Sequence, residues 1–127
     1  MATENRDFCD AWLAAWTQVA GDLEAAVDAL LTFYADDVFY SDASVPQGVQ
    51  GLASFRAHAT KLLGKFGRWR YTAQELHPIP DGFVVKWRVE LDDRVCFGVD
   101  LVERNDQGKI TRNEVYFDRA TLFDMSR

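Results

Sequence analysis

Two aspartates sit among apolar strand residues, and they are the groups most able to do chemistry in this chain. Asp100 lies inside Val95-Cys96-Phe97-Gly98-Val99-Asp100-Leu101-Val102, and Asp42 ends Val38-Phe39-Tyr40-Ser41-Asp42. A carboxylate among Phe, Val and Leu is costly unless it is hydrogen-bonded, paired or protonated, and such groups are often the ones a protein uses. Two acids brought together in an apolar pocket suit proton transfer: one takes a proton, the other donates to the oxygen that becomes negative. Each also has a plainer reading. Asp42 can simply end its strand and cap the following loop. Asp100 shares its side of the strand with Cys96, Gly98 and Val102, against Val95, Phe97, Val99 and Leu101. If that side faces solvent, Asp100 is a surface charge; if it faces a pocket, its pKa rises.

Around them stand candidate ligand contacts. Tyr40 alternates with Asp42 on one side of its strand, so its hydroxyl can orient a substrate carbonyl. His58 lies mid-helix near Phe55 and Leu62, and a lone histidine there is structural more often than catalytic. Trp12, Trp16, Tyr40, Trp69 and Trp87 can form an aromatic wall for a flat apolar ligand, or pack in the core. Trp12, Trp16, Tyr40, His58, Trp87 and Tyr116 are taken as the substrate-binding set, and Asp42 and Asp100 as the catalytic pair. His77, before Pro78, reads as an exposed turn residue.

The elements that must position these groups follow from periodicity. Phe8, Trp12, Ala15, Trp16 and Val19 recur at helical spacing over about residues 5–19. Asp22 caps a second helix whose inner stripe is Leu23, Ala26, Val27, Leu30, Leu31 and Tyr34. A strand spans about 37–42, and Ala43 to Gln50 reads as a loop. A third helix runs from Gly51 to about Lys65, with Leu52, Phe55, Ala59, Leu62 and Leu63 inward. Four strands follow, joined by turns at Pro78–Gly82, Asp92-Asp93 and Asn105–Gly108. Phe83, Val85, Trp87, Val89 and Leu91 share one face. In the last strand Ile110, Arg112, Glu114 and Tyr116 alternate with Thr111, Asn113, Val115 and Phe117. Helices grouped before an antiparallel meander give an α+β domain, with a ligand site where the twisted sheet wraps the helices.

The bulk numbers narrow the classes. The 127 residues suit one domain, without repeats or linkers. At 48% hydrophobic and 13% aromatic, the chain can build a core and still leave a cavity in it. A formal net charge of −6 disfavours nucleic acid and anionic membranes as partners. Cys9 and Cys96 show no metal-ligand spacing and read as buried free thiols. No run of 18 apolar residues exists. The N-terminus has no basic region followed by an apolar run, so no signal peptide is expected and cytoplasm is the default.

At these residues the chain resembles the nuclear transport factor 2-like superfamily, in its SnoaL-like branch. The likeness rests on Ala14-Ala15-Trp16 with Gly21-Asp22-Leu23, Phe33-Tyr34-Ala35-Asp36-Asp37-Val38, Gly51-Leu52-Ala53-Ser54-Phe55, and Gly98-Val99-Asp100 through Val115-Tyr116-Phe117-Asp118. It implies a single domain over 1–127 with a cone-shaped, cystatin-like α+β fold: three N-terminal helices on a strongly curved, mostly antiparallel sheet. Its members include ketosteroid isomerases, polyketide cyclases and limonene epoxide hydrolases. In the isomerases, Asp42 matches the general base, and Asp100 matches an aspartic acid kept neutral so that it can donate a hydrogen bond. Trp12 stands where they carry an oxyanion-binding tyrosine, and Glu114 stands on the last strand without clearly matching the hydrolases' aspartate.

The expectation is therefore a cofactor-free, metal-free enzyme of isomerase or cyclase type acting on an apolar carbonyl compound. Asp42 would be the base, and Asp100, Tyr40 or the Trp12 indole the donor. Asp42→Asn should then abolish turnover and leave the melting temperature nearly unchanged. The alternative is a non-catalytic ligand-binding or protein-interaction module. The resemblance also implies a homodimer through the open sheet face.

Overall fold

The computed structural model describes residues 2–17, 21–66 and 68–117. The elements follow as α1 (Ala2–Ala15), α2 (Leu23–Leu31), β1 (Tyr34–Asp42), β2 (Val45–Gln50), α3 (Leu52–Phe66), β3 (Arg70–Ile79), β4 (Gly82–Leu91), β5 (Arg94–Arg104) and β6 (Ile110–Phe117). All six strands join one sheet in the order β2-β1-β6-β5-β4-β3. The β1–β6 pair is parallel and the other pairs are antiparallel. The class is α+β, with three helices on an open, mixed sheet.

Two expectations are corrected. The helices are not all N-terminal, because β1 and β2 stand between α2 and α3. The segment read as a loop is largely β2, an edge strand paired with β1 alone. Its Pro46 and Gly48 disguise it, yet an edge strand tolerates both because one side of its backbone needs no partner. Of the expected first helix, Gln18 and Val19 lie outside the described residues, as does Asp118 at the end of the last matching motif.

Local chemistry explains the elements that hold the core. Asp22 caps α2, its carboxylate accepting from Glu24 N–H at 3.0 Å and Ala25 N–H at 3.3 Å. This helix buries Val27, Leu30 and Leu31, and α3 buries Phe55, Ala59, Leu63 and Phe66. Helix α2 packs on α3, α3 on β1 and β2, and α1 on β3 and β4. Between β2 and α3 the chain turns at Gly51, whose φ of +92° places it in the left-handed region and whose N–H donates to Val38 O at 2.7 Å. Strand β4 shows strict alternation: Phe83, Val85, Trp87, Val89 and Leu91 are all buried. Among the described residues no helix covers the opposite sheet face, which carries Val95, Phe97 and Tyr116 as exposed apolar residues.

Candidate functional site

Register decides which side of β5 is inside. Val85 and Val102 are fully buried, and Asp100 pairs with Val85 on β4 and Val115 on β6. Asp100 therefore shares the inner face, while Val95 and Phe97 are exposed on the other. On β1, Val38, Tyr40 and Asp42 share the buried side, and the register shift after Tyr40 marks where the strand bends into its turn. Both acids line one cavity of about 70 Å³. Six of its eleven lining residues are aromatic: Trp16, Tyr40, Phe66, Tyr71, Trp87 and Phe117. Leu13, Leu62 and Val115 complete it, and among the described residues no lysine or arginine lines it.

Asp42 is saturated. Its Oδ2 accepts from the Tyr40 hydroxyl at 2.7 Å and from His58 Nε2 at 2.9 Å. Its Oδ1 accepts from Ser44 Oγ at 2.6 Å, Ser44 N–H at 2.8 Å and Val45 N–H at 3.2 Å. One oxygen thus closes the β1–β2 turn and the other ties β1 to α3. Burial pushes the pKa up, but the hydrogen bonds from His58, Ser44 and Tyr40 outweigh it and hold the carboxyl well below the usual range.

Asp100 is the opposite case. Its Oδ1 accepts from Trp87 Nε1–H at 2.7 Å and its Oδ2 from Asn113 Nδ2–H at 2.9 Å. Both partners lie diagonally across the sheet, Trp87 on β4 and Asn113 on β6. Burial pushes Asp100 from 3.8 up to about 6, against these two bonds and with help from the nearby Asp42 charge. Indole and amide nitrogens can donate but not accept. Neither partner can receive a proton from Asp100, so both favour its ionised form. Both bonds oppose the upward push of burial, and the carboxyl stays more basic than an exposed one.

Gly98 makes the Trp87 bond possible. It sits directly opposite Trp87, and a Cβ there would lie 2.1 Å from Trp87 Cζ2. The indole fills the space that a side chain would occupy and so reaches Asp100.

The structure brings Asp42, Asp100, Trp16, Tyr40 and Trp87 to the cavity, and places His58 against Asp42. Two candidates fall elsewhere. Trp12 is fully buried behind the cavity, its N–H given to the Tyr34 hydroxyl at 2.9 Å, so it has no hydrogen left for a ligand. Tyr116 is 58% exposed on the outer face, bonded to Glu114 Oε1 at 2.8 Å, because Val115 and Phe117 take the inner positions of β6. Tyr71 and Asn113 were not singled out from the sequence. Tyr71 is visible as an inner-face residue of β3 by alternation alone. Asn113 differs in kind: a polar residue at an inward position of an otherwise buried strand face is itself a signal of a satisfied network.

The fold and this geometry define a class. The sequence model of the SnoaL-like domain matches residues 8–113, and the chain belongs to that family. Similar solved structures share the architecture. One, from Agrobacterium tumefaciens, is described as a presumed isomerase of the SnoaL-like family; it is 23% identical, with a TM-score of 0.75 over 91% of this chain and 98% of that one. Another, from Catenulispora acidiphila, has a ketosteroid isomerase-like fold and is in complex with trimethylamine; it is 17% identical, with a TM-score of 0.73 over 94% and 92%. A third, from Streptomyces galilaeus, is described as a presumed hydroxylase; it is 14% identical, with a TM-score of 0.69 over 98% and 97%. No curated protein matches.

Proposed function

We propose that this protein is a cofactor-free acid–base enzyme that moves a proton next to the carbonyl of a compact small molecule, with Asp100 as the base. The observation that carries this reading is a buried carboxylate, basic near neutrality, held in an aromatic cavity by two N–H donors. A base with a pKa near the working pH is the efficient one. Asp42, held far below that range and with five donors on its oxygens, is a poor base. The roles suggested by the resemblance are exchanged.

Asp100 would take a proton from the carbon beside the carbonyl. As that C–H bond breaks, the carbonyl becomes an enolate, and its oxygen needs a donor. Tyr71 suits this task. It lines the cavity, and burial followed by the Asp100 charge pushes its phenol pKa up, so it stays protonated. The Tyr40 hydroxyl gives its proton to Asp42 and is the weaker candidate. Asp100 then returns its proton to the same or a conjugated carbon, giving exchange or isomerisation.

Size limits the substrate. A void of about 150 Å³ admits benzene, and this cavity has about 70 Å³. It holds about three or four heavy atoms unless its walls part, so a small ketone is the natural probe. Acetone in D2O should exchange its α-protons, followed by proton NMR. Asp100→Asn should slow that exchange by about 10²–10⁴-fold, and Asp42→Asn far less once corrected for folded fraction. Undiminished exchange in Asp100→Asn would remove it as the base.

A second reading has its own support. Six aromatic rings and two carboxylates, with no lysine or arginine among the described lining residues, suit a compact alkylammonium ion as well as a neutral carbonyl. A similar structure is in complex with trimethylamine. On this reading the domain holds a ligand without turning it over. Tetramethylammonium would shift the indole N–H resonances of Trp16 and Trp87 on titration, while acetone stays unexchanged. The expected homodimer would use the open face bearing Val95, Phe97 and Tyr116, and light scattering tests it.

A further inference from the structure

Tyr34 and Asn113 do not line the cavity; Asn113 supports Asp100 from behind, and proton transfer by Asp100 leaves Tyr34 without a role. Both are buried, Asn113 completely. They belong to a run of hydrogen bonds that points one way. Trp12 Nε1–H donates to Tyr34 Oη at 2.9 Å, Tyr34 O–H donates to Asn113 Oδ1 at 2.9 Å, and Asn113 Nδ2–H donates to Asp100 Oδ2 at 2.9 Å. The run starts on α1, passes through β1 and β6, and ends on β5. Its direction is set at its origin, because an indole nitrogen can only donate. Tyr34 accepts there and spends its own proton on Asn113. That bond fixes which end of the amide is oxygen. The nitrogen end is left for Asp100, with the Leu101 carbonyl also in reach at 3.4 Å.

We infer that Tyr34 is a positioning residue that acts on Asp100 through Asn113, its hydroxyl locking the amide in the one orientation that offers N–H to the carboxylate. This rests on the reading of Asp100 as the base and deepens it. Without the Tyr34 hydroxyl, Asn113 Oδ1 loses the donor that fixes it, and only the contacts of its nitrogen remain. The amide can then turn over and set its oxygen against the carboxylate. A donor becomes a repelling dipole, and the ionised form of Asp100 loses support. The consequence is a base altered by a residue that does not touch it.

The groups that bear directly on Asp100 keep their charge while it titrates. The ionisable groups facing it are Asp42, Tyr34 and Tyr40 from β1, Tyr71 from β3 and Cys9 from α1. Burial pushes Cys9 up to about 12 and carries the three tyrosines above their ordinary value, and Asp42 is held low. None of these changes charge between pH 4 and pH 8. His58 meets the site through its bond to Asp42.

The experiment follows the Asp100 carboxyl carbon by NMR in aspartate-labelled protein, with no ligand added. Tyr34→Phe should raise its midpoint by about one pH unit. Adding Tyr34→Phe to Asn113→Ala should change nothing further, since the route is already cut. An unchanged midpoint in Tyr34→Phe, or the same rise with and without Asn113, overturns the proposal. If Asn113→Ala does not fold, the side-chain amide of Asn113, followed in Tyr34→Phe, decides the same question. Displaced, faster-exchanging amide protons support the lock, and unmoved ones refute it. The ketone assay is separate. The lock can fail with Asp100 still required for exchange, and Asp100 can prove dispensable with the lock intact.

Discussion

Asp42 and Asp100 are each 5% exposed, and they line the same cavity, yet their proton affinities are driven in opposite directions. Burial acts on both in the same sense. What separates them is the number of donors each receives: five from four residues at Asp42, two from two residues at Asp100. The first set exceeds the desolvation penalty and the second falls short of it. A carboxylate at the end of a strand gathers backbone and hydroxyl donors from the turn that follows. One in the middle of a strand has its neighbours' backbone groups already committed to the sheet and receives only what side chains bring across. Position along the strand has set the two acids apart: one is tied into the fold by its donors, the other is left more basic.

The sharpest way to break this contrast is Asp42→Asn. An amide has one oxygen, so it cannot accept from the Tyr40, His58, Ser44 and Val45 donors together. We expect a loss of about 3–5 kcal/mol, and a melting temperature lower by about 10 °C or more, measured by thermal unfolding at neutral pH. This reverses the expectation drawn from the sequence, in which Asp42 was a base whose loss the fold would not notice. A variant that melts with the wild type would make the five bonds energetically idle.

Proton linkage sharpens the contrast next. Asp42 has a lowered folded pKa, so its stabilisation is present above its unfolded value of about 3.9 and is lost as pH falls further. For Asp100 the sign is reversed. Its folded pKa is raised from 3.8 to about 6, so the native state binds the extra proton between those values and stability declines as pH rises through them. The shift corresponds to about 3 kcal/mol. Unfolding free energies of wild type and Asp100→Asn, taken from pH 4 to pH 8, should converge or cross by about that amount in favour of the variant. A constant difference would place Asp100 in a solvated environment. The same titration sets the rate profile of ketone exchange, which should fall below about pH 6 as the base protonates.

Much of this was legible in the sequence, and the failures are instructive. Alternation found the inner face of β4 residue by residue, because antiparallel strands with one covered face leave that signature. Their apolar surroundings marked both acids, but alternation left the side of Asp100 open and could not rank the two. Donor counts depend on the turn geometry after Asp42 and on cross-strand diagonals around Asp100, and neither is encoded in spacing. Edge strand β2 was hidden by Pro46 and Gly48. Tyr116 belongs to the substrate-binding set read from the sequence, whereas Val115 and Phe117 as inner neighbours require it to point outward. Trp12 was identified as a donor and is one, but its hydrogen goes to Tyr34, 22 positions along the chain.

The smallest expected effect tests the Asp100 half of the comparison from its least conspicuous residue. Gly98 has no side chain to bond with and no charge, and it bears on Asp100 only by leaving room for the Trp87 indole. In Gly98→Ala the new methyl would overlap the six-membered part of that ring, with Cζ2, Cη2 and Cε2 at 2.1, 2.3 and 2.8 Å from the ideal Cβ position. The indole must swing away, since the strand backbone beneath it is held by pairing on both sides. Overpacking of this kind costs about 1–3 kcal/mol. The more telling measurement is the carboxyl titration of Asp100, which should move upward as the Nε1 donor withdraws. A folded Gly98→Ala protein whose Asp100 titrates as in the wild type would show that the indole bond contributes nothing to the ionised state. The support of ionised Asp100 would then rest on Asn113 alone.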